Sequence, residues 1–255
     1  MVKALLTLLM LSGAALAGDW QDLLKAVQKS RSHMPAGNVE VLVVFPPSNK
    51  PVKMRKDLPQ LNFLPGLVKK NFELDWKDSQ VIAGRNTTMY TLTPRNRLSN
   101  AWVIWVDDEW QVPVAYQQQD LDGTTLRRVS FQHFTGTLNK LEKPYKQKLG
   151  YKSEIEKRVL RAMPGLVPPQ PYRVVGIRRA VFQDVPSIEV YLSDGLNVIP
   201  VVIAPKGVQE AEGVAVVRLD QQFVWVVAKL PPAELLRIIR HLTDIKPEQI
   251  FNPGE

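Results

Sequence analysis

The feature that most constrains the fold is a series of short apolar segments separated by gaps too short to hold a helix. The segments span 80–82, 87–93, 101–107, 112–120 and 124–134. Asp122-Gly123, between the last two, is typical of a tight hairpin turn. Neighbouring parallel strands need a crossover of about a dozen or more residues, which these gaps do not provide. The sequence therefore predicts an antiparallel meander.

A second group of segments predicts another β-rich unit. Its strands are expected over 172–182, 187–192, 197–204, 213–219 and 222–229, with tight turns between several of them. A helix is expected over 153–163, where Ser153 and Glu156 fit a capping box, and a final helix over 232–243. Together the two groups predict an α+β fold class with two antiparallel sheets, the smaller one packed with helices.

The charged stretch between the two groups is predicted to be a basic linker. It spans 140–152 and includes Lys143, Lys146 and Lys148. Polar stretches of this kind are typical of domain boundaries, so the domains are expected at 18–139 and 153–255. Within the first domain, 50–77 combines prolines with lysines and is predicted to be a loop with one helical turn.

The first residues, 1–17, are predicted to be a secretory signal peptide. Lys3 gives a positive start, a short apolar run follows, and Ala15-Leu16-Ala17 is a small-x-small cleavage site. The apolar run is too short to span a bilayer as a stable anchor. The processed chain is therefore expected to begin near Gly18 and to be an exported, soluble protein of the bacterial cell envelope.

Composition and net charge limit the chemical classes of partner that the chain is expected to bind. The formal net charge is +8, the pI is about 9.6, and the chain has no cysteine. A basic balance favours acidic partners, and export directs the chain away from nucleic acid. Acidic protein segments and anionic lipid head groups remain, beside the alternative of a merely solvated basic surface. The absence of thiols excludes thiol catalysis and thiolate metal sites.

No motif in the sequence indicates catalysis. The three histidines are isolated, and no nucleophile elbow, zinc motif or phosphate loop is present. Asp107-Asp108-Glu109 is compatible with a carboxylate cluster, but it stands where the meander needs a turn, which favours a solvated turn. The sequence therefore predicts no enzyme, with no catalytic residue, no cofactor and no metal.

Large aromatic residues concentrate in the meander. Alternation along the strand places Trp102 and Trp105 on opposite faces of the sheet. A sheet with apolar residues on both faces needs cover on both, or forms the wall of an apolar cavity. Trp102, Trp105, Tyr116 and Phe131 are the candidates for lining a lipid cavity, with a helix-covered core as the alternative.

Two stretches carry motifs that occur together in one known family. The first comprises Val81-Ile82-Ala83-Gly84-Arg85, Pro94-Arg95, Trp102-Val103-Ile104-Trp105-Val106-Asp107, Val112-Pro113-Val114 and Asp120-Leu121-Asp122-Gly123. The second comprises Val190-Tyr191-Leu192-Ser193-Asp194-Gly195-Leu196 and Val226-Val227-Ala228-Lys229-Leu230-Pro231. In their order along the chain these stretches resemble the RseB/MucB family of periplasmic sigma-E factor regulatory proteins, with Leu192 inserted between Tyr191 and Ser193 of the second motif.

The resemblance implies a fold and a function. The first domain would be a half-barrel similar to the lipoprotein carrier LolA, closed over an apolar cavity, and the second would be similar to the RseB C-terminal domain. Since 39–80 offers one clear strand, the half-barrel is expected to be truncated. Proteins of this family are non-enzymatic regulators of the envelope stress response. They bind the periplasmic domain of a membrane-spanning anti-sigma factor, and lipid is thought to release it.

The resemblance also suggests where partners bind. The candidates are the linker lysines, Lys143, Lys146 and Lys148, and the turn residues Asp194, Gly195 and Leu196. Asp194 and Gly195 have the simpler alternative of only shaping a turn. Two other functions remain open: a LolA-like periplasmic carrier of lipid or lipoprotein acyl chains, and an envelope adaptor without a role in stress signalling.

Overall fold

The chain forms two antiparallel sheets with short helices. A computed structural model describes residues 15–251, apart from the side chains of 15–19, 78 and 79, so most of the predicted signal peptide lies outside the described residues. The helices are α1 (Ala15–Lys29), α2 (Pro65–Asn71), α3 (Ser153–Ala162), α4 (Pro232–Arg237) and α5 (Pro247–Ile250). The strands are β1 (His33–Val43), β2 (Val52–Arg55), β3 (Phe72–Ile82), β4 (Arg85–Pro94), β5 (Ala101–Asp107), β6 (Pro113–Gln119), β7 (Thr125–Lys140), β8 (Arg173–Phe182), β9 (Val185–Ser193), β10 (Val198–Ala204), β11 (Val214–Leu219) and β12 (Gln222–Val227).

The first sheet has seven strands in the order β2-β1-β7-β6-β5-β4-β3. Strands β3 to β7 pair with their neighbours in sequence, as the meander predicts, while β1 returns to pair with β7. Leu23 and Val27 of α1, with Phe63 and Val68 from the α2 region, are buried in the same core as the sheet's aromatic residues. These segments cover the sheet, because apolar side chains on it would otherwise face water.

The second sheet has five strands in the order β11-β12-β10-β9-β8. Its core includes Leu192 and Val201 from the strands, Met163 just after α3, Ile239 just after α4 and Ile250 of α5. The predicted α+β fold class, with two antiparallel sheets, is confirmed.

The segment 50–77 was predicted to be a loop with one helical turn; α2 is that turn, but the rest of the segment is not all loop. It contains β2, α2 and the first half of β3. Phe72, Leu74 and Trp76 alternate with charged residues along β3, which is the pattern of a strand with one solvated face. Because β3 is at the edge of the sheet, its outer side tolerates those charges. The first sheet therefore contains more strand than the sequence prediction gave it.

The predicted capping box is wrong. Lys152 is the N-cap residue of α3, and the hydroxyl of Ser153 bonds to the neighbouring Glu154 instead of the helix backbone. Glu156 is mostly buried and accepts hydrogen bonds from Arg173, at 2.8 Å from Nε, and from Tyr151. Burial acts to raise the pKa of Glu156, but these hydrogen bonds outweigh it and the pKa is lowered. Glu156 thus fastens α3 to β8 rather than capping its own helix.

The final helix is shorter than predicted. It was expected over 232–243, whereas α4 ends at Arg237 and turns follow it.

The linker has no regular secondary structure: residues 141–152 contain neither helix nor strand. The linker is nevertheless tied down: the amide of Leu141 donates to Ser32 at 2.8 Å and that of Gly150 to Val175 at 2.8 Å. The division into two domains at this linker stays a prediction.

Candidate functional site

The four aromatic candidates lie in the core of the first sheet. Tyr116 is opposite Ile104 on one side and Val129 on the other, so Trp102, Tyr116 and Phe131 share one face while Trp105 is on the other. All four are more than nine-tenths buried. Trp102 and Tyr116 are in tilted contact at 6.0 Å between ring centroids.

The polar atoms of these aromatic residues have partners inside the protein. The hydroxyl of Tyr116 donates to the Pro59 carbonyl at 3.0 Å, and burial raises the pKa of Tyr116 to about 12. The Nε1 of Trp105 donates to Gln80 at 2.5 Å. Phe131 stacks on Phe134 at 4.6 Å. These contacts are those of packed core residues, and the lipid cavity remains a prediction.

The carboxylate cluster at 107–109 forms a structural turn. Asp107 is fully buried, and its carboxylate accepts hydrogen bonds from Arg85 at 2.5 and 2.9 Å and from the Trp110 amide at 2.6 Å. The Arg85 guanidinium also lies over the Trp110 ring, 3.6 Å from its centroid. The hydrogen bonds to Asp107 raise the pKa of Arg85, which burial alone would lower. Within residues 15–251, no group of three or more acidic, histidine or cysteine side chains could hold a metal.

The candidate partner-binding residues separate into two groups. Lys143, Lys146 and Lys148 are exposed on the linker, where a partner could reach them. Asp194, Gly195 and Leu196 are buried, the first of them completely. A partner cannot touch this turn while the sheets are together, so its prediction as a direct contact surface is corrected.

The buried turn instead joins the two sheets. Asn71, at the end of α2, donates from Nδ2 to the Asp194 carbonyl at 2.7 Å. The amide of Leu64 donates to the Gly195 carbonyl at 2.9 Å. Gly195 has φ of +121°, and a Cβ there would lie 2.7 Å from the Val68 backbone nitrogen. Glycine is required here because the turn packs directly on backbone.

Asn197 is the centre of this junction. Its Oδ1 accepts from Nε1 of Trp102 at 2.8 Å and from Nε2 of Gln118 at 2.9 Å. Its Nδ2 donates to the Asn100 carbonyl at 3.0 Å and to the Asp194 carboxylate at 2.7 Å. An asparagine amide has two donor hydrogens and two acceptor sites, and all four are used. We call Asn71, Trp102, Asp194, Gly195 and Asn197 the junction.

The Asp194 carboxylate is held within the junction by hydrogen bonds. It accepts from the amides of Leu196 at 3.0 Å and Asn197 at 2.8 Å. Burial raises the pKa of Asp194, although these bonds favour the charged form. A buried carboxylate that is fully hydrogen-bonded fixes the geometry around it, because no equally good arrangement is available nearby.

Beside the junction, a crevice opens between the two sheets. It contains two cavities of about 350 Å³ each, which share Asn100, Lys229 and Leu230. The first sheet contributes Gln118 and the second contributes Ile199 to the walls. The junction therefore sets the distance between the walls of the crevice.

A second concave surface, the basic cleft, lies beside β8. It has a volume of about 510 Å³ and is lined by Lys148 and Lys152 of the linker, Ile155 and Arg158 of α3, residues 175–179 of β8, and Phe251. Lys148 is the one linker candidate that lines it. None of its described lining residues is acidic.

Comparisons with known proteins show which solved structures share this architecture. No protein-family model matches the sequence, and no curated protein sequence matches it significantly. Among solved structures, MucB matches with a TM-score of 0.62 and 17% identity over 91% of this chain and 99% of MucB. The chain has the MucB fold. The resemblance of its motifs to the RseB/MucB family is thereby confirmed at the level of the fold.

Two similar structures are complexes. MucB in complex with MucA(peri) matches with a TM-score of 0.56 and 17% identity over 91% of this chain and 98% of that one. The MucA/MucB complex of Pseudomonas aeruginosa matches with a TM-score of 0.56 and 16% identity over 90% of this chain and 99% of that one. These matches also cover nine-tenths of this chain, so the likeness of fold includes both of its sheets.

Sequence reasoning missed most of the junction in this MucB-like chain. Asn71 and Asp194 are 123 positions apart, and no local pattern connects them. The available signal was local to the turn: Asp194 and Asn197 stand three apart, as in turns where a side chain accepts backbone hydrogen bonds. That signal predicts the shape of the turn, but not its burial.

Proposed function

We propose that the chain is a non-enzymatic periplasmic regulator that binds the envelope-facing part of a membrane-spanning anti-sigma factor. The observation that carries this proposal is the MucB fold over 91% of the chain, with MucB known in complex with MucA(peri). The motifs that resemble the RseB/MucB family support it, because they occur in both sheets and in the family's order.

Surface charge supports an acidic segment as the bound element. The net charge is +8, and Lys143, Lys146 and Lys148 are exposed. Exposed cations mainly accelerate association and are screened by salt over a Debye length of about 8 Å at 0.15 M. The crevice is the proposed seat of the segment's apolar side chains, since concave sites between packed units bind ligands well. Its walls carry Asp120, Asp122 and Glu212 beside Arg97 and Lys229, so the linker lysines would supply the attraction to acidic residues. The junction would keep the two walls of the crevice at a fixed distance before the segment binds.

A periplasmic location follows from the proposed export signal. Within residues 15–251, no helix is long and apolar enough to cross a membrane. N-terminal sequencing of protein isolated from the native host is expected to start within a residue or two of Gly18. An intact Met1 on that protein would contradict export with cleavage.

Lipid sensing enters the proposal through the family resemblance. Trp102, Trp105, Tyr116 and Phe131 pack against protein, and none of them lines the crevice or the basic cleft. The half-barrel shape implied by the family resemblance is what keeps acyl chains among the proposed ligands. The carrier function has no observation that favours it over the regulator.

The test is binding of the processed chain to the periplasmic domain of the host's membrane-spanning anti-sigma factor, measured at low and high salt. We expect micromolar or tighter binding that weakens with salt, and weakens further when Lys143, Lys146 and Lys148 are changed to glutamine. Changing three exposed cations at the far edge of the first sheet, Lys50, Lys53 and Lys56, is the matched control. Absence of binding, together with transfer of lipid between membranes, would support a carrier instead.

A further inference from the structure

The basic cleft combines an apolar floor with a cationic rim. The floor includes Leu149, Ile155, Ile177 and Phe251. The rim cations are Lys148, Lys152, Arg158, Arg178 and Arg179. Glu189 neutralises part of this charge, since it forms an ion pair with Arg178 at 2.6 Å. Without counting Arg158, Lys148, Lys152 and Arg179 still outnumber the single carboxylate of Glu189, and this excess of cations favours an acidic ligand.

One wall of the cleft is a sheet edge. Strand β8 is the last strand of the second sheet and pairs with β9 on one side only. On its other side, the Gly150 amide donates to the Val175 carbonyl at 2.8 Å. A Cβ on Gly176 would lie 2.7 Å from Leu149, so the linker packs closely at this end of the strand. Beyond it, the edge at 177–181 has no neighbouring strand in the described part of the chain.

An open strand edge recognises a particular chemistry. Its outward N–H and C=O groups pair with the backbone of an added extended peptide, while pockets beside it select alternate side chains. A lipid head group has no such backbone. The cleft therefore offers both a backbone template and counter-charges, and these two features together fit an acidic peptide better than a membrane surface.

We infer that the basic cleft binds an extended acidic segment of a protein partner, which adds as a strand to the free edge of β8. Because side chains alternate between the two faces of a strand, its carboxylates would lie on the face of β8 that carries Ile177 and Arg179, close to the Lys152 side of the cleft, and the side chains between them would point to the other face. This site is separate from the crevice, and the inference does not require the partner to be an anti-sigma factor.

The probe is a fluorescein-labelled peptide of about ten residues that alternates valine and glutamate, long enough to follow the edge. Its binding to the full processed chain is followed by fluorescence anisotropy at low salt. Reversing two rim charges, with Lys152→Glu and Arg179→Glu together, is expected to weaken binding about tenfold or more. The control, Lys69→Glu with Lys70→Glu on α2, makes the same charge change away from the cleft and is expected to alter binding less than about twofold.

Two variant peptides separate charge from strand addition. A version with glutamine in place of glutamate is expected to bind much more weakly, since it cannot pair with the rim. A version with proline at alternate positions is expected to lose binding, because proline cannot donate to a strand ladder. Equal binding of the proline version would overturn strand addition. If the rim variant and the α2 control variant lose peptide binding equally, the effect is a general attraction to the basic protein and not binding in the cleft.

The membrane alternative and the proposed function are tested separately. Vesicles containing phosphatidylglycerol are offered to the same variants. If vesicles bind in a rim-dependent manner and the peptide does not, the cleft is a lipid-binding surface and the inference fails. Because the probe peptide is unrelated to any anti-sigma factor, a negative result with the anti-sigma domain leaves this assay unaffected. If the rim variant does not fold, Lys148→Glu with Lys152→Glu, on the exposed linker, carries the same expectation.

Discussion

Replacing Gly195 with alanine tests whether the junction is a steric fit between the two sheets. The residue has φ of +121°, and an added Cβ would lie 2.7 Å from the Val68 nitrogen and 2.9 Å from Val68 Cγ2. The nearest obstacle is backbone, which cannot rotate away as the end of a flexible side chain can. The turn can admit the methyl group only if it moves away from α2.

Two contributions determine how much free energy of unfolding the Gly195→Ala variant loses. A non-glycine residue in such a backbone conformation costs about 1–3 kcal/mol. Forcing a methyl group into a packed contact costs about 1–3 kcal/mol more. Since both act at one position and are not fully additive, we expect the free energy of unfolding to fall by about 2–5 kcal/mol. For a chain of this size, that loss lowers the unfolding midpoint by roughly 4–20 °C.

Gly84→Ala is the matched control. Gly84 has φ of +83°, but nothing lies within 4 Å of a Cβ built there. This variant therefore carries the backbone cost of about 1–3 kcal/mol without the steric clash. Scanning calorimetry and denaturant titration of both variants give the comparison. If Gly195→Ala is no less stable than Gly84→Ala, the junction accepts a side chain and the steric reasoning is wrong.

Three further predictions use other parts of the chain. Glu156→Gln is expected to lower the free energy of unfolding by about 1–3 kcal/mol at neutral pH, because it weakens charged hydrogen bonds with Arg173. Denaturant titration measures this change. Glu154→Gln, at an exposed position, is the control. Because the pKa of Glu156 is lowered in the folded chain, its stabilisation is present above the unfolded pKa, and the difference should shrink as the pH falls below about 4. Limited digestion is expected to cut first within 140–152 and leave two stable fragments, and a first cut elsewhere would contradict that domain boundary. If the aromatic residues around Trp102 line a lipid cavity, fatty acid should change the tryptophan fluorescence, whereas no uptake would identify them as ordinary core.

Local chemistry was sufficient to predict most of the strands. Asp122-Gly123 forms the predicted turn between β6 and β7, where Gly123 has φ of +81°. The end of β3, 80–82, was predicted, but its first part was missed because prolines and lysines nearby suggested a loop, although Phe72, Leu74 and Trp76 keep the spacing of a strand. Its charged residues reflect an edge position, which becomes visible only when the whole sheet is assembled.

The candidate site was less accessible to prediction. Asp194-Gly195 is typical of a surface turn, and nothing in its sequence indicates that another sheet packs over it. Asparagine is usually exposed, so Asn197 gave no reason to expect a fully hydrogen-bonded core residue. Both facts depend on contacts between residues far apart in the chain. The exposure of the linker lysines was easier to predict, since a run of charged residues is rarely buried.

The pairing of β1 with β7 determines when the first sheet can be completed. Val39 lies opposite Phe131, so β1 must wait for most of the sheet to be synthesised, while β3 to β6 can pair as soon as their neighbours emerge. Contacts between distant segments slow folding, because a long loop must close first. Until β7 arrives, β1 exposes Val39 and Val41 on an unpaired edge that can aggregate or be cleaved. A chain that emerges slowly from a membrane channel would spend longest in this vulnerable state, and the arrival of residues 125–140 would end it.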